Sequence, residues 1–356
     1  MYCAVDENIG YAGLAAYKKQ VEEETPYVAL VDCGDALQGD AIGTISQGEY
    51  LVDIMNKVGY DFAVLGNHEF DYGMERLAEL MEMSDAAYLG CNVDYTGSGE
   101  NALSALQQYE IVDYGDTKVA FIGISAPESI SQSTPAYFMD ENGDIVYSFC
   151  SDSGEALYSR VQETVDSCRE EGADYVIALT HLGDDESSAP FRSTDLIAGT
   201  SGIDAVLDSD SHSAIDSDMV GNEEGREIPI SSSGTGLENI GQLTITPEGD
   251  ITTRLISDFE EKDSDMESFI ADIQSEYEEE LQQVIAGSDV DETYTLASHD
   301  YMLRQSGDGF TMFADNEMVV EEGMVDYQIL ITYISDYLGG SIGEQYSSPD
   351  GRITVE

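Results

Sequence analysis

Short apolar runs alternate with segments of helical spacing along the first part of the chain. The apolar runs lie at positions 28–31, 62–65, 118–124, 176–179 and 205–207. Apolar residues spaced three to four apart predict helices at positions 10–24, 50–58, 74–83 and 155–172. Strands and helices in alternation are typical of sheets covered by helices, so the pattern predicts a layered α/β domain.

Two further patterns follow these elements. Residues 241–246 and 251–255 predict a β-hairpin around a Pro-Glu-Gly-Asp turn, which would close this first domain. Apolar residues then recur at helical spacing from Met266 to Val284, and Gly287 is a suitable helix stop. We interpret this helix as a connector, with its apolar stripe used for packing.

The apolar run at 62–65 leads directly into the sequence GNHEFD, which contains Asn67, His68 and Asp71. An asparagine oxygen can ligate a cation, and a histidine can donate a hydrogen bond to a bound anion. An aspartate can orient that imidazole. The alternative is a capped turn after a strand, because Asn and Asp are common turn residues.

The same arrangement recurs at three other strand ends, which favours chemistry over a simple turn. The sequences that follow the other runs are DCGDALQG, THLG and DSDSH. Three of the four histidines, His68, His181 and His212, lie at such ends, and the fourth is His299. A lone buried histidine is usually a core residue, but three at strand ends indicate metal ligands.

These blocks resemble a known family, the calcineurin-like metallophosphoesterases of the bacterial 5'-nucleotidase and UDP-sugar hydrolase type. The matching blocks, in family order, are GDALQG at 34–39, GNHEFDYG at 66–73, THLG at 180–183 and SDSH at 209–212, with GYAGLAAYKK at 10–19 before them. The resemblance covers most of residues 3–255. It implies an α/β fold, a layered α/β/β/α sandwich, followed by a shortened C-terminal α+β domain.

The resemblance implies a site with two divalent metal ions. Asp35 would bridge the two ions, Asn67 and His181 would ligate the second, and His212 would ligate the first. The ions would be Mn²⁺, Mg²⁺ or Zn²⁺, one or two per chain. Two ions about 3.5–4 Å apart would clamp the attacking and leaving oxygens of the phosphoester.

The resemblance also assigns the catalytic side chains. His68 would be the cationic donor that stabilises the phosphoryl transition state, and Asp71 would orient it. The implied reaction is attack of a metal-activated water on phosphorus, in line with the leaving alkoxide.

The sequence departs from the family pattern at two blocks. The family begins with Asp-x-His at the end of its first strand, but here the register places Tyr2 at the His position and the Asp position before residue 1. We expect either that the chain starts upstream or that the first strand and two ligands are missing. In the family's Gly-His-x-His block, Ser209 replaces Gly and Asp210 replaces the first His.

These departures predict an uneven metal site. The second metal keeps Asp35, Asn67 and His181, with Asp210 in place of a histidine, whereas the first keeps only Asp35 and His212. A carboxylate in place of an imidazole favours Mn²⁺ or Mg²⁺ over Zn²⁺. We therefore expect a one-metal or weakly two-metal enzyme that is slower than an intact relative. Loss of a central strand also predicts a poorly stable chain.

The C-terminal part resembles only the end of the family's nucleotide-binding domain. In that resemblance, Phe310 matches the aromatic residue that stacks on the nucleobase; the alternative is an ordinary buried aromatic beside a turn. The predicted domains are a catalytic domain at 1–258, a connecting helix at 259–288 and a remnant at 289–356.

Composition limits the partners. Thirteen basic against 73 acidic residues give a net charge of −60, which argues against nucleic acid as a ligand and makes cations necessary for an anionic nucleotide. Solubility in a salty or extracellular setting is an alternative reason for this acidity. The expected partner is therefore a small-molecule nucleotide or another phosphoester.

Five cysteines show no metal-binding spacing, and no apolar run has the length of a membrane span.

Two classes of function remain open from the sequence. One is a nucleotide phosphohydrolase; the other is a degenerate relative or gene fragment that binds metal or phosphate without turnover. No signal peptide precedes Cys3, but the resemblance implies an extracellular or cell-surface location for the full-length form.

Overall fold

The computed structural model describes residues 5–281 of the 356-residue chain, and side chains as far as residue 278. Within this part the strands are β1 (Val31–Asp32), β2 (Phe62–Val64), β3 (Ala87–Leu89), β4 (Asp94–Tyr95), β5 (Tyr109–Tyr114), β6 (Thr117–Ile124), β7 (Tyr147–Ser148), β8 (Tyr175–Thr180), β9 (Ala205–Asp208), β10 (Ala214–Gly221), β11 (Glu227–Ser233), β12 (Ile240–Ile245) and β13 (Ile251–Ile256). The helices are α1 (Gly10–Glu24), α2 (Asp40–Ser46), α3 (Glu49–Val58), α4 (Met74–Met83), α5 (Ser129–Gln132), α6 (Gly154–Glu170), α7 (Ser193–Ala198) and α8 (Ser264–Leu281), with short 3-10 helices at His68–Phe70, Pro135–Phe138 and Glu186–Ser188.

Two sheets form the centre of the fold. The smaller sheet is parallel, in the order β1-β2-β3. The larger sheet has the order β10-β11-β9-β8-β6-β5, with parallel pairing from β11 to β6 and antiparallel strands at both edges. Parallel strands need crossover connections. Helices supply these except between β9 and β11, which are connected through the antiparallel strand β10.

The two sheets face each other across an apolar layer, and helices cover their outer faces. Phe62 of β2 stacks on Phe121 of β6, with ring centroids 4.8 Å apart. The next residue, Ala63, points the other way, toward the core formed with α1, α3, α4 and α8. Likewise Ile122 of β6 faces α6 and α7. The alternation of side chains in each strand therefore builds the predicted α/β/β/α sandwich.

Most predicted elements are found within one or two residues of their expected bounds, including the β12–β13 hairpin. The run at 28–31 differs, because only its last residue joins strand β1. Leu30 instead bonds through its main chain to Asp61, accepting from the Asp61 N–H at 2.8 Å and donating to its carboxylate at 2.8 Å. Within residues 5–281, β1 has a ladder partner on one side only.

Helix α8 packs as the sequence predicts. Its apolar stripe, including Met266, Ile270 and Ile273, is buried in the core that contains α1 and α3. Residues 1–4, Gly287 and the segment 289–356 lie outside the described residues, so the predicted domain bounds remain a prediction. No helix within residues 5–281 combines the length and apolar composition that crossing a bilayer requires.

Candidate metal and phosphoester site

The predicted site residues of the catalytic domain follow the carboxyl ends of four parallel strands. Asp35 follows β1, Asn67 follows β2, His181 follows β8 and Asp210 follows β9. Parallel strands have their carboxyl ends at the same edge of a sheet, so the loops that follow these strands meet at one edge of the two-sheet sandwich. Asp35, Asn67 and His181 are buried there.

His181 has the clearest geometry in the site. Its Nδ1 lies 2.7 Å from the carbonyl oxygen of Cys33, which can only accept, so Nδ1 carries the proton. Its Nε2 lies 3.3 Å from Asp35 Oδ2 and 3.5 Å from Asp210 Oδ1. Nε2 is buried and makes no hydrogen bond. A neutral imidazole would therefore aim its Nε2 lone pair at two carboxylates.

The charges of this cluster follow from that geometry. Burial alone would lower the pKa of His181, but the carboxylates of Asp35 and Asp210 outweigh it and raise that pKa to about 9. Burial would raise the pKa of Asp35, but His181 outweighs it and the pKa falls below its ordinary value. Without a cation, protonated His181 has to balance the carboxylates.

This donor set fits a divalent cation chemically. A neutral imidazole and two carboxylates are good ligands for Mn²⁺ or Mg²⁺, and the bond from Nδ1 to a carbonyl fixes the imidazole in the tautomer that a metal needs. Within residues 5–281, however, no group of three or more His, Cys, Asp or Glu side chains is arranged closely enough to hold an ion as it stands.

Glu69 connects the two loops that carry Asp35 and Asn67 through hydrogen bonds to their main chain. This role was not predicted from the sequence. Its Oε2 accepts from the main-chain N–H groups of Asp35 at 2.7 Å and Gly66 at 2.6 Å. Its Oε1 accepts from Ala36 at 2.7 Å and Leu37 at 3.2 Å. The carboxylate is buried, so four main-chain donors that would otherwise lack partners are satisfied by one side chain.

Two glycines allow these loops to approach His181. A Cβ at Gly66 would lie 2.7 Å from His181 Cε1, and one at Gly34 would lie 2.6 Å from His181 Nδ1. Gly34 also has a φ of +98°, a conformation that favours glycine. The glycines of the sequence blocks are therefore needed for close packing around the imidazole.

His68 and Asp71 form a second pair beside the cluster. His68 Nδ1 lies 2.7 Å from Asp71 Oδ2, and the two side chains are 25% and 27% exposed. The His68 main-chain N–H donates to Asp35 Oδ1 at 2.9 Å, which ties this pair to the cluster. Burial would lower the pKa of His68, but the hydrogen bond to Asp71 and the nearby carboxylates outweigh it and raise that pKa.

Asp208 connects the loops after β8 and β9 through hydrogen bonds. Its Oδ1 accepts from the Thr180 hydroxyl at 2.7 Å and from the main-chain N–H groups of Gly183 at 3.2 Å and Leu182 at 3.3 Å. These bonds fix both sides of His181. Burial raises the pKa of Asp208 above its ordinary value.

Three predicted site residues have a left-handed backbone. The φ angles are +63° at Asp35, +89° at Asp210 and +56° at His212. Such conformations are uncommon outside glycine and cluster at functional sites. His212 is exposed, and its electrostatic neighbours include Asp35 and Asp210. Phe310 lies outside the described residues.

Comparison with known proteins identifies the family. A family model described as "Bacterial capsule synthesis protein PGA_cap", itself a metallophosphoesterase-like domain, matches residues 19–230, more than half of the chain. The 5'-nucleotidase of Bos taurus is 30% identical over 223 residues, which are 62% of this chain and 35% of that protein. The chain thus spans about a third of the length of that relative.

Solved structures agree on the fold. The 5'-nucleotidase precursor of Thermus thermophilus has a TM-score of 0.63 at 22% identity, covering 78% of this chain and 55% of that one. The calcineurin-like phosphoesterase YfkN of Bacillus subtilis has a TM-score of 0.60 at 22% identity, covering 78% and 92%. The shared fold is that of the metallophosphoesterases. The chain belongs to the calcineurin-like metallophosphoesterases, within the group that includes the 5'-nucleotidases, as its motifs predict.

Proposed function

We propose that the chain is a metal-dependent phosphoester hydrolase that acts on nucleotides through attack of water on phosphorus. The observation that carries the proposal is the buried His181 Nε2, which faces Asp35 and Asp210 beside the His68–Asp71 pair. The names of the relatives support the class of reaction, since they are 5'-nucleotidases and a nucleotide phosphoesterase.

Asp35, His181 and Asp210, with the amide oxygen of Asn67, are the residues that would hold a divalent cation. When bound, the cation would polarise a phosphoryl oxygen and lower the pKa of a water molecule. Asp35 and His212 would form the weaker position, which the resemblance assigns to the first ion. Because the chain carries a net charge of −60, a bound cation also offsets repulsion of an anionic substrate.

His68 supplies the hydrogen-bond donor in this proposal. The hydrogen bond to Asp71 and the nearby carboxylates raise the pKa of His68, which favours the protonated imidazole. Asp71 accepts from Nδ1–H, and Nε2–H would donate to a phosphoryl oxygen. A fixed donor of this kind stabilises the charge that develops in the transition state. The protein is proposed to act outside the cell or at its surface.

The test is hydrolysis with added Mn²⁺, followed as release of phosphate from 5'-nucleotides and as release of the nucleoside monophosphate from cyclic nucleotides and nucleotide sugars. Release should require Mn²⁺, and His68→Ala should lower kcat by about 10²–10³ while the melting curve stays unchanged. Asp113→Asn changes an exposed carboxylate on β5 and serves as the matched control. A folded, Mn²⁺-loaded wild-type protein that hydrolyses none of these esters would overturn the proposal.

The second candidate is a degenerate relative that binds a cation or phosphate ligand without turnover. It is favoured by Asp210 in place of the family's histidine and by the lack, within the described residues, of three side chains already arranged around an ion. Saturable Mn²⁺ binding without hydrolysis of any of these esters would support this candidate.

A further inference from the structure

The segment after β6 approaches the site at two points. Near its start, Glu128 is close enough to Asp210 for their charges to interact. Near its end, the 3-10 helix Pro135–Phe138 reaches the turn that carries His68 and Asp71. A segment placed in this way can contact the part of a substrate that extends beyond the phosphate.

Phe138 anchors the end of this segment to the catalytic turn. Its ring is fully buried, and its centroid lies 4.8 Å from that of Phe70 and 5.9 Å from that of Phe149. Phe70 lies between His68 and Asp71 in the chain. Packing of this kind fixes the neighbouring residue, Tyr137, relative to the turn.

Tyr137 lies on the outer side of that anchor. Three atoms of its ring lie 3.7–3.9 Å from the position that a Cβ at Gly73 would occupy, so the ring borders the main chain two residues after Asp71. The side chain is 38% exposed, as is Met139 in the same segment. An exposed aromatic ring on a rigid support is a suitable stacking surface for a nucleobase.

We propose that Tyr137 is a substrate-binding residue whose ring contacts the base of a nucleoside 5'-monophosphate held at the site. This inference rests on the proposed function and adds to it a base-recognition element within the metallophosphoesterase domain. Tyr137 affects binding of the base, whereas the phosphate is bound by the residues of the site. Substrates with a base should therefore depend on Tyr137, and substrates without one should not.

The test compares 5'-AMP with ribose 5-phosphate, which has the same ester and sugar but no base. Tyr137→Ala should lower kcat/KM for 5'-AMP by about tenfold and leave that for ribose 5-phosphate unchanged. Tyr137→Phe keeps the ring and should behave as the wild type. Met139→Ala, an equally exposed change in the same segment, is the matched control. Equal loss for both substrates, or loss for neither, overturns the inference.

Direct binding separates this inference from the proposed function. If the wild type shows no turnover, the affinity for intact 5'-AMP and for ribose 5-phosphate is measured by calorimetry with Mn²⁺. A tenfold weaker affinity for 5'-AMP alone in Tyr137→Ala supports the base contact although hydrolysis has failed. Equal affinities of wild type and variant for 5'-AMP, or no binding by the wild type, refute it.

Discussion

Replacing Glu69 by glutamine tests whether its hydrogen bonds hold together the two loops that carry Asp35 and Asn67. The carboxylate accepts two main-chain N–H groups on each oxygen. A glutamine amide keeps one accepting oxygen and places an NH₂ group against the other pair of donors. If Nε2 replaces Oε2, the N–H groups of Asp35 and Gly66 lose their acceptor.

The magnitude follows from those two donors. Each buried donor left without an acceptor costs about 1–3 kcal/mol. Burial and the nearby Asp35 raise the pKa of Glu69, which means that the charged carboxylate is unfavourable at this position. Because glutamine is neutral, the substitution removes this unfavourable charge and offsets part of the cost of the two unpaired donors. We expect Glu69→Gln to lower the free energy of unfolding by about 2–4 kcal/mol.

Urea unfolding followed by circular dichroism measures this difference. Glu82→Gln, an exposed change on α4, should alter stability by less than about 0.5 kcal/mol and serves as the control. If the two variants are equally stable, the four main-chain contacts of Glu69 do not hold the loops. Mn²⁺ affinity should fall in Glu69→Gln and not in the control, because Asp35 lies on one of those loops.

Three further changes test other parts of the fold. Burial raises the pKa of Asp32 to about 7, so the folded state keeps this proton at pH values where the unfolded chain has lost it. The folded state therefore loses stability as pH rises from about 4 to about 7. In urea melts, Asp32→Asn should reduce that loss by up to about 4 kcal/mol. Phe138→Ala should cost about 3–5 kcal/mol in urea melts, because the buried ring packs on Phe70. Asp204→Asn should cost about 3–5 kcal/mol in urea melts, because the buried carboxylate pairs with Arg169 and accepts from the Val176 N–H.

The contrary outcomes are equally specific. An unchanged pH profile in Asp32→Asn would mean that this carboxyl titrates normally. Phe138→Leu should be milder than Phe138→Ala, and an equal loss would mean that ring packing is not the cause. A stable Asp204→Asn would show that its pairs with Arg169 and Arg226 contribute little.

The sequence was most informative where a side chain acts alone at a strand end. His68 and His181 stand out because each follows an apolar run, and that placement needs no knowledge of distant residues. Glu69 acts through main-chain groups more than thirty residues earlier in the chain, as well as through Gly66, so no local pattern indicates its role.

The elements that were not predicted have physical reasons too. Strand β10 is mostly exposed and contains two aspartates, so it lacks the apolar run that indicates a strand. Its neighbour β11 contains a proline and three serines, so its sequence does not indicate a strand. It becomes a strand by pairing with β9 and β10 in the folded chain. Short β1 was predicted four residues long, but Leu30 bonds to the Asp61 side chain as well as to main chain.

Binding of Mn²⁺ to metal-free protein is the measurement that tests the central proposal most directly. Electron paramagnetic resonance follows the free ion during titration, and phosphate release from 5'-AMP is recorded in the same samples. The proposed metal site predicts one tightly bound equivalent of Mn²⁺, phosphate release that rises with occupancy, and loss of both in folded His181→Ala. No saturable binding, or binding unchanged in His181→Ala, would contradict it.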